Sequence, residues 1–257
     1  MTPPDIPALE RATLTTVPAP RTGFDGPFVL RAFAGGTGRA NAASSLDPSP
    51  DPDLSARIER IEARYVAMGL PVRFRSTPLD PPGLVDLLVA RGYVPKDETV
   101  ILLVPIAAIA VADPAAEAHP APDADWMAVT ATAEHQSPRR RQEKEGTPPL
   151  LTTPGAWITL REGSAAAAVV SVVMAGGLAG YFDLAVRPEY RRRGLAARAV
   201  RAAADWARQH GAEWLFCQVA VTNTASLALN TALGLREAYR YTYWVRPQDG
   251  LPTLRFS

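Results

Sequence analysis

Arg191, Arg192 and Arg193 stand directly before Gly194, and Leu195, Ala196 and Ala197 follow it. Glycine lets a backbone approach a ligand with no Cβ in the way. A helix that opens at Leu195 leaves its first amides without an intrahelical partner. Free N–H groups, the positive end of a helix and three guanidinium groups together suit a diphosphate. The plainer reading of the arginines is a solvated basic turn of the kind common in surface loops.

Such a turn has to be held by a strand before it and a helix after it. The letters GYFDLAV end at Val186 and read as that strand, and Leu195, Ala199, Ala202, Ala203 and Trp206 form the inward stripe of the helix, with Arg198, Arg201, Asp205 and Arg208 on the wet face. The helix stops at Gly211, an apolar strand WLFCQVAV covers 214–221, Asn223 follows, and a second helix closes at Gly234 before a last strand YRYTYWV. Upstream, AWITLRE and AAAAVVSVVMA read as a hairpin turning at Glu162 and Gly163.

The first part of the chain shows the same order. FVLRAF suits a strand, GRANAASSLDPSP an irregular segment, and Leu54, Ile58, Ile61, Tyr65 and Met68 an amphipathic helix with Asp53 as cap and Gly69 as stop. PVRFRS reads as a strand, a second helix ends at Gly92, and ETVILLV is the strand after it. The stop glycines are equally spaced, Gly69 to Gly92 and Gly211 to Gly234, which suggests an internal repeat. The first copy lacks the arginine turn, because its first helix is preceded by the acidic, proline-rich LDPSPDPD.

Composition narrows the function classes. The chain has 257 residues, 27 basic and 26 acidic side chains and a net charge of +1, which argues against nucleic acid as the main partner. Cys217 is the only cysteine, so a disulfide framework is excluded and a reducing, cytoplasmic address is expected. The N-terminus has no apolar signal core, and the longest apolar run, Val100 to Ala112, contains Pro105 and is shorter than the ~20 residues a membrane helix needs. It reads as a buried strand running into a linker. No His, Asp or Glu spacing suggests a metal site.

Arg191, Gly194 and Ala196 satisfy the (Q/R)xxGx(G/A) signature of the GNAT (Gcn5-related) N-acyltransferases, and TASLALNTALGL after Asn223 resembles that family's NxxAxxLYxxxGF box. The chain resembles a tandem GNAT protein. The resemblance implies an α/β (α+β) acyl-CoA N-acyltransferase fold: a mixed, mostly antiparallel sheet with two splayed parallel strands, flanked by helices, twice in tandem. It divides the chain into a degenerate GNAT-like domain at 1–112, with 1–22 a loosely attached lead-in, a linker at 113–123 and a catalytic acetyltransferase domain at 124–257.

It also implies acetyl-CoA as co-substrate, with pantetheine along the backbone of Leu184, Ala185 and Val186, the diphosphate at Arg191 to Ala197, and Asn223 and Asn230 near the cofactor. Asn223 reads equally as a helix cap. The family's proton-transfer positions carry Gln218, Asn230 and Gly180, none of them an acid or a base. Substitutes nearby are Asp183, Tyr241, Tyr243, Glu134 and His135, each with an ordinary structural reading. The charged segment Glu134 to Gly146 matches the part that covers the acceptor pocket in the family. Arg39 and Asn41, among glycines, present a fork donor and an amide to an acceptor carboxylate or peptide group, or simply form a capped turn.

The expected activity is transfer of an acetyl group to a primary amine on a small molecule or peptide, by a monomer or homodimer without nucleic acid or membrane. Because the proton-transfer positions are empty, a non-catalytic acyl-CoA-binding or regulatory module is the alternative. A nucleic-acid-associated protein using RPEYRRR is poorly supported, since no aromatic platform accompanies the arginines.

Overall fold

The computed structural model describes residues 2–134 and 136–247. In chain order its elements are α1 (Ile6–Thr16), β1 (Arg21–Asp25), β2 (Phe28–Ala32), β3 (Ala43–Ser45), α2 (Leu54–Ala67), β4 (Arg73–Ser76), α3 (Leu84–Ala90), β5 (Val94–Pro105), β6 (Ala116–His119), α4 (Ala124–Thr130), α5 (Pro138–Gly146), β7 (Gly155–Glu162), β8 (Ala165–Ala175), β9 (Leu178–Val186), α6 (Leu195–Gln209), β10 (Trp214–Ala220), α7 (Thr224–Ala232) and β11 (Arg236–Val245). The strands form one sheet in the order β1-β2-β3-β4-β11-β5-β10-β9-β8-β7-β6.

The repeat seen in the glycines is carried by the topology. In each half a parallel pair is joined by a helix, β3–α2–β4 and β9–α6–β10. Each half then adds a helix and a strand, α3–β5 and α7–β11. Those last strands are exchanged: β11 runs antiparallel to β4, and β5 runs antiparallel to β10, while β5 and β11 pair with each other at the centre. The four stop glycines all take left-handed φ, between 65 and 89°.

Alternation along β5 explains why it sits at the centre. Val100, Leu102 and Val104 face the core under α6 and α7, and Ile101 and Leu103 face the opposite core with Leu9, Phe216 and Tyr241. A strand buried on both faces reads as a continuous apolar run.

Four sequence expectations change. Residues 1–22 are no loose lead-in: α1 opens with Asp5 accepting from the Ala8 amide at 2.8 Å, and Leu9, Glu10, Ala12, Thr13 and Thr16 are buried. Within the stretch 113–123, Ala116–His119 pairs with β7 as the edge strand β6. On α6, Asp205 is buried, not on the wet face, and accepts from Arg208 and Gln209. Asp53 likewise makes no cap bond and pairs with Arg60 at 2.7 Å.

Candidate active site

Strands β9 and β10 are in register only at Leu178–Trp214, Ala179–Leu215 and Gly180–Phe216. Beyond these pairs β9 continues to Val186 and β10 to Ala220, so the two parallel strands diverge and leave a wedge. Asp183 sits on the diverging stretch of β9 with φ +55°, where the pairing to β8 shifts register. A left-handed aspartate at a bulge is a costly conformation that re-aims its side chain.

The open end of the wedge meets the arginine turn. Arg192 at φ +64° and Gly194 at φ +76° flank Arg193, which curls the backbone at the start of α6. A Cβ on Gly194 would meet nothing within 4 Å. Among the described residues the amides of Leu195, Ala196 and Ala197 have no partner; the first bond of the helix is Arg198 N to Gly194 O. Arg191, Arg192 and Arg193 are exposed. Arg191 Nε donates to the Val186 carbonyl at 3.3 Å, and Arg193 Nη2 to that of Glu189 at 3.1 Å. The Arg192 side chain is left to solvent. This nest of donors at a helix N-terminus fits the diphosphate of acetyl-CoA.

Asn223 caps α7 through Oδ1, which accepts from Ser226 N at 3.0 Å, and its exposed amide nitrogen has no partner among the described residues. Cap and ligand contact are therefore compatible there. Asn230 is different. It is fully buried, accepts from the Tyr181 hydroxyl and donates to Ser226 O at 2.9 Å, so the expected cofactor contact is corrected to a packing role.

The other two empty proton-transfer positions are also structural. A Cβ on Gly180 would lie 2.8 Å from the Phe182 ring and 2.9 Å from Phe216. Gln218 Nε2 donates to Thr13 Oγ1 at 3.1 Å while its Oε1 accepts from the Tyr241 hydroxyl at 2.8 Å. Cys217, next to it, is buried, and desolvation pushes its thiol up to about 12.

Tyr241 and Tyr243 are buried at the centre and are corrected from catalytic candidates to framework. Burial alone would raise the Tyr241 phenol, but Arg39 and Arg75 outweigh it and hold it below its usual value. Arg75 lies 3.7 Å from the Tyr241 ring centroid and pairs with buried Glu10 of α1, which also accepts from Tyr239. Tyr243 packs on Gly38, where a Cβ would come within 2.5 Å of the ring. That close approach fixes the loop carrying Arg39.

On the opposite side of the wedge from α6, a pocket of about 90 Å³ is lined by Arg39, Arg140, Lys144, Trp157, Phe182 and Asp183 among others. Arg39 reaches it from the first half, donating from Nη2 to the Gln218 carbonyl at 3.4 Å with its guanidinium 5.7 Å from the Phe182 ring centroid. Lys144 Nζ lies 3.3 Å from Asp183 Oδ1. Asn41, expected beside Arg39 as a donor to substrate, is spent: it accepts from Phe33 N and Gly35 N and donates to Thr37 O and Glu143. Glu134 is exposed and is not among the residues lining the pocket, and His135 lies outside the described residues.

The roles of Arg140, Glu143 and Lys144 were not read from sequence. SPRRRQEKEG announces a helix through Ser137, whose Oγ accepts from Arg140 N, and Pro138 at the first position. Nothing in its charge pattern says which face is covered. Glu143 is the buried one, because the amides of Gly36 and Thr37 donate to it at 2.8 and 2.7 Å.

Comparison with known proteins bears on the family and on the two-fold topology. A family model described as "Probable histone acetyltransferase Rv0428c C-terminal" matches residues 3–244. The chain belongs to this family, within the GNAT superfamily. It is 26% identical over 251 residues to the "Uncharacterized N-acetyltransferase YobR" of Bacillus subtilis (strain 168), covering 94% of this chain and 99% of the relative. Its fold is similar to that of a GCN5-related N-acetyltransferase from Kribbella flavida, with TM-score 0.71, 18% identity and 96% and 98% of the two chains covered. It is also similar to a tandem GNAT protein from the clavulanic acid biosynthesis pathway, with TM-score 0.58, 14% identity and 97% and 90% covered. The GNAT-like fold thus extends over nearly the whole chain. Membership implies use of acetyl-CoA.

Among the described residues no helix is long and apolar enough to cross a membrane, and no three His, Cys, Asp or Glu side chains are grouped to hold a metal.

Proposed function

We propose that the protein transfers the acetyl group of acetyl-CoA to a primary amine on a small molecule or peptide, the second half (124–257) holding the donor and the first half (1–112) walling the acceptor. The observation that carries this is the wedge between β9 and β10, which ends at the unpartnered amides of Leu195, Ala196 and Ala197. Acetyl-CoA supplies an activated thioester. Attack by an amine forms the C–N bond and breaks the C–S bond. The backbone of Leu184 to Val186 offers a strand edge for pantetheine, and the turn at Arg191 to Ala197 holds the diphosphate.

Of the two carboxylates that line the pocket, Glu143 is held by two amides and Asn41, whereas Asp183 is paired with Lys144 through Oδ1 and keeps Oδ2 without a partner among the described residues. It takes the role of accepting the acceptor's ammonium proton, with Lys144 holding it in place. No residue is needed to protonate the departing thiolate near neutral pH, given a free-thiol pKa of ~8.5. Positioning supplies most of the acceleration, worth ~7–11 kcal/mol in well-oriented systems.

The test is release of free thiol from acetyl-CoA with a panel of amino acids, simple amines and lysine-containing peptides. Turnover with any of them supports the reading; cofactor binding with no turnover favours the inert acyl-CoA-binding module. That second reading draws on one specific observation, the absorption of Gly180, Gln218 and Asn230 into packing.

A further inference from the structure

Among the described residues, two guanidinium groups in the pocket, those of Arg39 and Arg140, form no ion pair with a carboxylate. Among the described residues Arg140 makes no side-chain hydrogen bond or ion pair, although it is half-buried. Arg39 forms no ion pair: it meets the Gln218 carbonyl, the face of Phe182 and the Tyr241 hydroxyl, with Asp183 acting on it only at longer range. The acids within reach are already engaged, Glu143 by the Gly36 and Thr37 amides and Asn41, and Asp183 by Lys144. Burial first, and then the charge of Arg39, work against the Arg140 cation, and Asp183 and Glu143 at longer range only partly offset them. Two like charges brought together out of water are unfavourable until an anion sits between them, and arginine forks match a carboxylate bidentately.

We infer that the acceptor is an amine that also carries a carboxylate, seated with the carboxylate between Arg39 and Arg140 and the amine toward Asp183. The arrangement suits a zwitterion: Arg39 and Arg140 lie on the loop and helix that close the pocket and Asp183 on β9 beside the wedge, while the pocket's other two charges are spent, Lys144 on Asp183 and Glu143 on the Gly36 and Thr37 amides. Trp157 and Phe182 supply apolar walls between the two poles. Arg39 comes from the first half and Arg140 from α5, so selection of the acceptor needs both halves although the donor site needs one. The inference rests on the acetyltransferase reading for the position of the amine, and on the pocket alone for the position of the carboxylate.

The experiment uses the full chain saturated with CoA. Melting temperature is measured with N-acetylated amino acids, the products of such a reaction, and with their carboxamides at equal millimolar concentration. At least one acid is expected to raise the melting temperature where its amide does not. Arg140→Gln and Arg39→Gln are each expected to weaken the acid at least ten-fold while leaving stabilisation by CoA alone intact. In kinetics the parent amino acid should exceed its amide at least ten-fold in kcat/KM, with the ratio falling toward one in Arg140→Gln. If no acid outperforms its amide, or if the preference survives both substitutions, the carboxylate site is overturned. Failure of CoA itself to stabilise the wild-type chain would instead defeat the acetyltransferase reading.

Discussion

At Gly194 the backbone is left-handed and the space a side chain would fill is open, so the residue serves both the turn and the ligand. Gly194→Glu adds strain, bulk and a negative charge at the anion site. Wild-type protein at a hundred-fold excess of acetyl-CoA over Kd gains ~2.7 kcal/mol, a rise of roughly 5–10 °C for a chain of this size. The variant should show no rise in the same thermal scan, and an undiminished shift would disprove the placement of the diphosphate. Glu10 is the second decisive position. It is the carboxylate partner of Arg75, and both side chains are at least 95% buried, with relative exposures of 1% and 5%. Glu10→Ala strands a guanidinium whose Nε and Nη2 are already without partners, and removing one member of a buried pair costs ~3–5 kcal/mol. Urea unfolding should show a loss of that order; a loss below about 1 kcal/mol would mean that Arg75 finds another partner.

Helix α2 presents Arg57, Arg60 and Arg64 along one face, and all three reach Asp25 at the end of β1. The hydrogen bond from Arg60 leads the three arginines in holding the Asp25 carboxyl down at about 2 against burial, from an ordinary 3.8. Its folded value lies below its unfolded one, so the stabilisation is complete above pH 4 and disappears as pH falls toward 2. Asp25→Asn should therefore cost about 1–2 kcal/mol at neutral pH, with the gap to wild type closing between pH 4 and 2 in acid unfolding curves. A gap that persists at pH 2 would assign the effect to packing. Elements with local signals were legible from the letters alone. The stripe of α2, the stop glycines and the alternating or continuous apolar strands carry their own punctuation. By contrast most of α1 and all of β1, β3 and β6 were not read, and the reason lies in distance. The buried face of α1 is Leu9, Glu10, Ala12, Thr13 and Thr16, weakly apolar, and it is held by Arg75, Gln218 and Tyr239 far along the chain. The acceptor pocket was hidden for the same cause, since Arg39, Arg140 and Asp183 meet only once the sheet is complete.

For the molecule as a whole, the exchange of β5 and β11 makes the two halves interdependent. Expressed alone, residues 113–257 would lack the strand that covers β10 along its full length from Trp214 to Ala220, and residues 1–112 would lack the strand between β4 and β5. Exposed edges of this kind aggregate. Each piece is expected in the insoluble fraction, whereas co-expression of both should yield a soluble complex that acetyl-CoA stabilises; a soluble, cofactor-binding 113–257 fragment would contradict this. The same exchange bears on synthesis. The slot beside β4 is filled by 242–245 of β11, which pair with Arg73–Ser76 and are synthesised long after them. The amino-terminal half therefore waits, unfinished, until β11 has been made, and the seam between β4 and β5 closes only then.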